Sequence, residues 1–172
     1  MRRAITRMLV VCGLIAAVST TAVTSGTAAE GNIKVTQQQV DQLLDLYPGS
    51  HQISPTGVEV EKGVIVSVPA EFGAQATCSY EYLCLFSDRN YSGYQLSFSI
   101  CTFRNLGDYA YPGGGYWYDK VSSFINNQTT GTWSDFYNWD GYSDWVYLFS
   151  SQAYDARNPT PYENIIDAVW VC

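Results

Sequence analysis

Histidine is almost missing from this chain: His51 stands alone among 172 residues. A Ser-His-Asp arrangement needs a histidine base beside its nucleophile, and a lone His51 in a Gly49-Ser50-His51 loop does not supply one. Cations are scarce too, with nine Lys and Arg against sixteen Asp and Glu and a formal charge of −7. So acidic a chain is repelled by a phosphate backbone, which excludes nucleic-acid binding through a broad basic face. No glycine-rich loop joins a strand to a helix, so nucleotide binding has no support. Long apolar runs are absent as well. The longest, Met8 to Val18, is about half of the roughly 20 residues a bilayer span requires. Disorder is excluded from the other side, because 47% of the residues are hydrophobic and 15% aromatic.

The N-terminus reads as an export signal. Arg2, Arg3 and Arg7 precede the apolar stretch, and Thr27-Ala28-Ala29 are small residues before Glu30, which predicts a signal peptide over 1–29 and a secreted product with no membrane contact after cleavage. Without its three arginines the charge of −7 becomes −10. Cys12 lies inside the apolar run and leaves with it. Cys78, Cys84, Cys101 and Cys172 remain, which in an exported chain read as two disulfides with three possible connectivities. Proximity favours Cys78 with Cys84, leaving Cys101 for Cys172, a loop worth roughly 4 kcal/mol on a chain-entropy estimate. Metal or redox chemistry is the weaker reading of the Cys78 to Cys84 spacing. Zinc pairs sit closer together and no second pair exists.

Composition divides the rest. Residues 30–76 hold one of the 14 tyrosines and no tryptophan, while residues 77–172 hold the other tyrosines and all five tryptophans. In the first part Val40, Leu43, Leu44 and Tyr47 share one helical face, Thr36 and Gln39 suit a capping box, and Pro48-Gly49 ends the helix. Gln52 to Val60 and Gly63 to Val68 read as two strands around a Lys62-Gly63 turn. This small α/β extension is a propeptide, a docking arm or a decoration.

The second part reads as all-β. Leu83 to Phe86, Tyr94 to Phe98, Val121 to Ile125, Trp145 to Phe149 and Ile165 to Val171 are short and β-prone, separated by Gly, Asn, Asp and Pro clusters, which suggests a sandwich or barrel. Trp133 to Trp145 reads as a solvated aromatic loop. Asp119-Lys120-Val121-Ser122-Ser123 and Asn164-Ile165-Ile166-Asp167-Ala168 lie 45 residues apart in a common pattern, which points to a duplicated β unit. Asp135, Asp140, Asp144 and Asp155 are numerous enough for carboxylate hydrolysis, but nothing pairs two of them across a cleft, so the chain is not read as an enzyme. Tyr116 and Trp117 beside three glycines, and Trp139 in the second aromatic stretch, are the candidate partner-binding residues, since Tyr and Trp dominate interface hot spots.

The stretch from Cys78 to Gly93, with paired cysteines and then Phe86 separated from Gly93 by six residues, resembles peptidase inhibitor family I36, the secreted βγ-crystallin-like domains of actinobacteria. The resemblance implies a Greek-key βγ-crystallin-like sandwich over 77–172, closed by two disulfides and preceded by the extension 30–76. Phe86 would fold over the Gly93 turn, and Ser122 would bond back onto the hairpin of the neighbouring unit. The implied function is a secreted inhibitor that meets an extracellular endopeptidase through surface loops. Two alternatives stand beside it: a carbohydrate or cell-wall module using the aromatic loops, and a calcium-binding structural or toxin-like protein. Asp119, Lys120, Ser122 and Asn164 match the crystallin calcium pattern in part, while Tyr118, Asp167 and Ala168 depart from it. No cofactor is required. Packing alone and weak Ca²⁺ binding both remain open for that motif.

Overall fold

A computed structural model describes residues 26–69 and 76–172, with the backbone alone over 26–35. Most of the expected export segment therefore lies outside the described residues, and none of the described helices is long and apolar enough to cross a membrane. Helix α1 spans Gly26–Leu46. It starts ten residues before Thr36, so the Thr36–Gln39 pair lies within the helix and not at its start. The expected face is correct: Val40 and Leu43 are fully buried, with Leu44 and Tyr47 against the same core. Gly49, at φ +89°, turns the chain out of the helix.

Three strands complete the N-terminal part: β1 (His51–Gln52), β2 (Gly57–Glu61) and β3 (Val64–Ser67). The single strand expected over Gln52 to Val60 is two, because Ser54-Pro55-Thr56 turns and Ile53 N–H donates to the Gly57 carbonyl at 2.9 Å. The following strands are β4 (Tyr82–Asp88), β5 (Ser92–Phe98), β6 (Thr102–Asn105), β7 (Ser123–Asn127), β8 (Trp133–Trp139), β9 (Trp145–Gln152), β10 (Asp155–Arg157) and β11 (Ala168–Val171). Trp133 to Trp139 is thus a strand and not a solvated loop. Its Ser134 and Phe136 point inward at period two, a pattern obscured by the polar Asp135 and Asn138.

The strands form two antiparallel sheets, ordered β1-β2-β3-β5-β4-β7-β10 and β6-β11-β8-β9. The fourth strand of each unit returns beside its first, β7 on β4 and β11 on β8, as in a Greek key. Each third strand crosses to the opposite sheet: β6 pairs with β11, and β10 with β7. This exchange ties two four-stranded units into one sandwich, the architecture the resemblance implies. The duplication is visible in the backbone as well, with Asp119 at φ 56° and Asn164 at φ 57°. Asp and Asn are the side chains that tolerate this left-handed conformation best.

Between the sheets Phe136 stacks on Phe149 at 4.4 Å, and Phe149 on Tyr162 at 5.7 Å. The Arg157 guanidinium lies 4.8 Å from the Phe149 ring centroid. The extension adds a strand edge-on, with Val64 opposite Phe98 and Val66 opposite Leu96, all buried. Its Tyr47 hydroxyl donates to the Ala110 carbonyl. Both disulfides are present, Cys78–Cys84 and Cys101–Cys172, with Cα atoms 5.8 and 5.0 Å apart.

Candidate functional site

In the first unit, the hairpin between β4 and β5 is built for packing. A β-carbon on Gly93, at φ +76°, would lie 2.2 Å from Ser87 Oγ, so only glycine fits. Phe86 is buried and meets Tyr91 edge-on at 6.0 Å. Ser123 is the residue that holds this hairpin: its Oγ donates to the Asp88 carbonyl at 2.7 Å and accepts from Tyr91 N–H at 3.1 Å. Ser122, expected to bond onto the hairpin of the neighbouring unit, does reach that unit, but at the loop before β11, its Oγ donating to Asn164 Oδ1 at 3.2 Å.

Residues 105–119 form an arch over the sandwich. Asn105 Oδ1 accepts from Gly107 N–H at 2.9 Å and caps a short 3₁₀ turn, Leu106–Asp108. The chain then doubles back through Pro112-Gly113-Gly114-Gly115, closed by Tyr111 N–H donating to the Gly115 carbonyl at 2.9 Å. Ala110 bridges Tyr116, so successive side chains leave on opposite sides. Tyr116 turns outward and stacks on Tyr118 at 6.0 Å, both exposed. Trp117 turns inward and is fully buried, edge-on to Tyr111 at 5.2 Å. The expectation that Trp117 contacts a partner is therefore overturned: it fills the core beneath the arch. The three glycines set the turn without deciding which neighbour faces out.

Opposite the arch, β8 and β9 project as a hairpin. At its tip Asp140 Oδ1 accepts from the backbone N–H of Tyr142, Ser143 and Asp144 at 2.7, 2.9 and 3.1 Å. These bonds hold its carboxyl below the usual carboxylate range. Trp139 and Trp145, the strand pair that flanks the tip, meet edge-on at 5.0 Å. The outer face of the second sheet continues the aromatic surface. Phe103 touches Trp145, Tyr137 and Trp170 at 5.2, 5.9 and 6.2 Å, and Tyr147 joins through Tyr137 at 6.0 Å. Trp133, Tyr147 and Trp170 are about half exposed. Large apolar side chains so open and contiguous mark a contact surface.

Between arch and hairpin lies a cleft of about 500 Å³ walled by Tyr118, Trp139 and Trp145, with Asp119 and Asp167 and the amides Asn105 and Asn138 around it. Asp167 is 8% exposed. Its Oδ2 accepts from Trp139 N–H at 2.9 Å, and its Oδ1 has no hydrogen-bond partner. Burial, and then the charge of Asp119, push its carboxyl up.

The residues expected to hold calcium, Asp119, the Lys120 carbonyl and Ser122 in the first unit and Asn164 in the second, do not group by unit. Asp119 faces Asp167. Ser122 and Asn164 bond to each other, and beside them Glu163 is tied to Arg89 at 2.6 Å. Lys120 carries its ammonium over the Tyr111 ring at 5.9 Å. At the Ser122–Asn164 end the side-chain oxygens already have partners, whereas the Asp119–Asp167 end offers two carboxylates and the orphaned Oδ1. Among the described residues no three His, Cys, Asp or Glu side chains gather as a metal centre. The possible catalytic carboxylates also stay apart: Asp155 pairs with Arg157 at 2.8 Å and Asp135 accepts from Ser150 Oγ. His51 pairs with Glu59 at 3.3 Å on the surface. Sequence reading did not single out Tyr118, Trp145 or Trp170 as contact residues. The signal for the cleft was Asp167, an acid where the repeat calls for serine.

Residues 72–149 match the family model of peptidase inhibitor family I36. No curated protein and no solved structure matches the chain. The matched stretch takes in the first unit, β8 and most of β9, and over it the resemblance read from Cys78 to Gly93 is borne out. The match supports a peptidase-inhibitor role in general, and with it a peptidase as the class of partner.

Proposed function

We propose, from the I36 match over residues 72–149, that this protein is a secreted inhibitor that blocks an extracellular endopeptidase by surface contact. One observation carries the mode of binding: the exposed rings of Tyr116, Tyr118, Trp139 and Trp170, with the partly buried Trp145 between the last two, presented by a disulfide-braced sandwich. Rigid aromatic side chains give large contact area at low ordering cost. The disulfides agree with an oxidising, extracellular destination. Inhibition assays against a panel of serine, cysteine and metallo-endopeptidases test the reading. At least one enzyme is inhibited at micromolar concentration, and Trp139→Ala with Trp145→Ala together raise Ki by at least about thirtyfold, the scale of a hot-spot loss of 2 kcal/mol or more. A panel left wholly uninhibited at that concentration contradicts it.

A second reading, glycan binding, is favoured by the half-exposed Trp133 and Trp170 on the outer sheet face. Retention on insoluble glycans, lost in Trp133→Ala and Trp170→Ala, is its expected outcome. No retention removes it.

A further inference from the structure

We infer that the cleft between the arch and the β8–β9 hairpin receives an organic cation, the side chain of a lysine or arginine on the partner. This rests on the inhibitor reading and adds the chemistry of the residue its surface recognises. Three features of the cleft select that occupant.

The first is its charge. Asp119 and Asp167 line the same space, and among the described residues no Lys, Arg or His forms an ion pair with either. The cations that make ion pairs are engaged elsewhere: Arg89 with Glu163, Arg104 with Glu61, Arg157 with Asp155, and His51 with Glu59. Lys120, next in sequence to Asp119, points to Tyr111. Two neighbouring carboxylates with no counter-charge of their own complement a positive group from outside.

The second is the unfilled acceptor. Asp167 is more than nine-tenths buried, and Oδ1 has no donor although Oδ2 has one. A buried carboxylate oxygen without a donor is costly, and a guanidinium or ammonium brings N–H groups to the pair.

The third is the wall. Tyr118, Trp139 and Trp145 supply aromatic surface on the sides of the cleft. Aromatic faces attract ammonium and guanidinium groups, and Trp does so best. They offer nothing to a calcium ion, which needs six to eight oxygens. A space of about 500 Å³ also far exceeds one ion and suits a long side chain with an apolar stem.

The test uses the purified protein and small probes, so it does not depend on finding a target peptidase. The indole N–H signals of Trp139 and Trp145 are followed by NMR as N-acetyl-arginine amide or N-acetyl-lysine amide is added. N-acetyl-norleucine amide and calcium chloride are the comparison titrations. Both indole signals should shift saturably with the cationic probes and not with norleucine. Asp119→Asn should weaken that binding at least about tenfold, the scale of removing one member of a close charge pair. Asn tolerates the left-handed backbone at position 119, so this variant keeps the fold, and its unchanged remaining spectrum verifies that. Absence of saturation at tens of millimolar probe, an equal response to norleucine, or a response to calcium alone overturns the inference. If the cationic probes bind and no peptidase is inhibited, the inhibitor reading fails and the site stands. If inhibition holds while the probes do not bind, the site fails and the inhibitor reading stands.

Discussion

The two units of the sandwich reach the same backbone geometry and use it differently. Asp119 and Asn164 occupy equivalent left-handed positions, and each N–H donates to the other stretch, Asp119 to the Ile166 carbonyl at 3.2 Å and Asn164 to the Val121 carbonyl at 2.9 Å. At the Asn164 end every group is satisfied: Ser122 bonds to Asn164, and Glu163 to Arg89. At the Asp119 end an acid replaces the equivalent of Ser122, and its Oδ1 is left without a donor beside an open cleft. The hairpins differ in the same sense. Gly93 is hemmed in by Ser87 and Asp88, whereas Gly141 has nothing within 4 Å. A duplicated fold can commit one copy to stability and leave the other free for a ligand, because the exchanged strands β6 and β10 hold both in place.

Breaking the covalent tie between the units has the largest expected effect. Cys101–Cys172 joins the residue preceding β6 to the chain end after β11, closing a separation of 71 residues. On a chain-entropy estimate its removal costs about 4 kcal/mol, against about 2 for the six-residue Cys78–Cys84 loop. Denaturant melts of Cys101→Ser with Cys172→Ser, and of Cys78→Ser with Cys84→Ser, should rank in that order. The reverse would mean that the units are held mainly by their shared core.

Glycine substitution sharpens the comparison at smaller scale. Both Gly93 and Gly141 have positive φ, so Ala at either costs on the order of 1–2 kcal/mol for the backbone alone. Gly93→Ala adds the clash with Ser87 and Asp88, so its melting temperature should fall further than that of Gly141→Ala. Equal losses would show the two hairpins to be equally tolerant.

The pH response is expected to carry opposite signs at the two ends, with the smallest amplitudes. Hydrogen bonding by Arg89 lowers the Glu163 carboxyl below its ordinary 4.5, so its contribution is present above that value and is lost as pH falls through the folded value. Burial raises the Asp167 carboxyl above 3.8, so its ionisation costs stability that disappears as pH falls through the folded value towards 3.8. Glu163→Gln should therefore lower stability at neutral pH and have little effect in acid. Asp167→Asn should do the opposite, raising stability at neutral pH while preserving an acceptor for Trp139. Thermal melts across that range read both signs.

Much of this asymmetry is already written in the chain. The repeat spacing of 45 residues matches the starts of β7 and β11, and the substitution of serine by Asp167 marks the altered end. Strands β4, β5, β7 and β9 follow from short β-prone runs between turn clusters. Strand β8 was hidden because Asp135 sits on its outer side and the polar Asn138 near its end, where polarity imitates a loop. The short strands β6 and β10 lack a hydrophobic run, and they exist because each completes the sheet of the other unit. Trp117 misled because exposure in a glycine-rich loop is set by the bridge between Ala110 and Tyr116, a register that composition does not encode. The cleft joins residues from the arch, the hairpin and the strand-end at Asp167, and no local pattern announces such a meeting.

The most direct test of the account compares inhibition constants of two sets of variants on one susceptible endopeptidase. Trp139→Ala and Asp119→Asn alter the open end of the pseudo-symmetric pair, and Tyr91→Ala and Glu163→Gln alter the closed end. Each change at the open end should raise Ki by about tenfold or more, and the closed-end changes should leave it within about twofold once folding is verified. A loss of inhibition confined to the closed end, with the open end unaffected, would contradict the assignment of the contact surface.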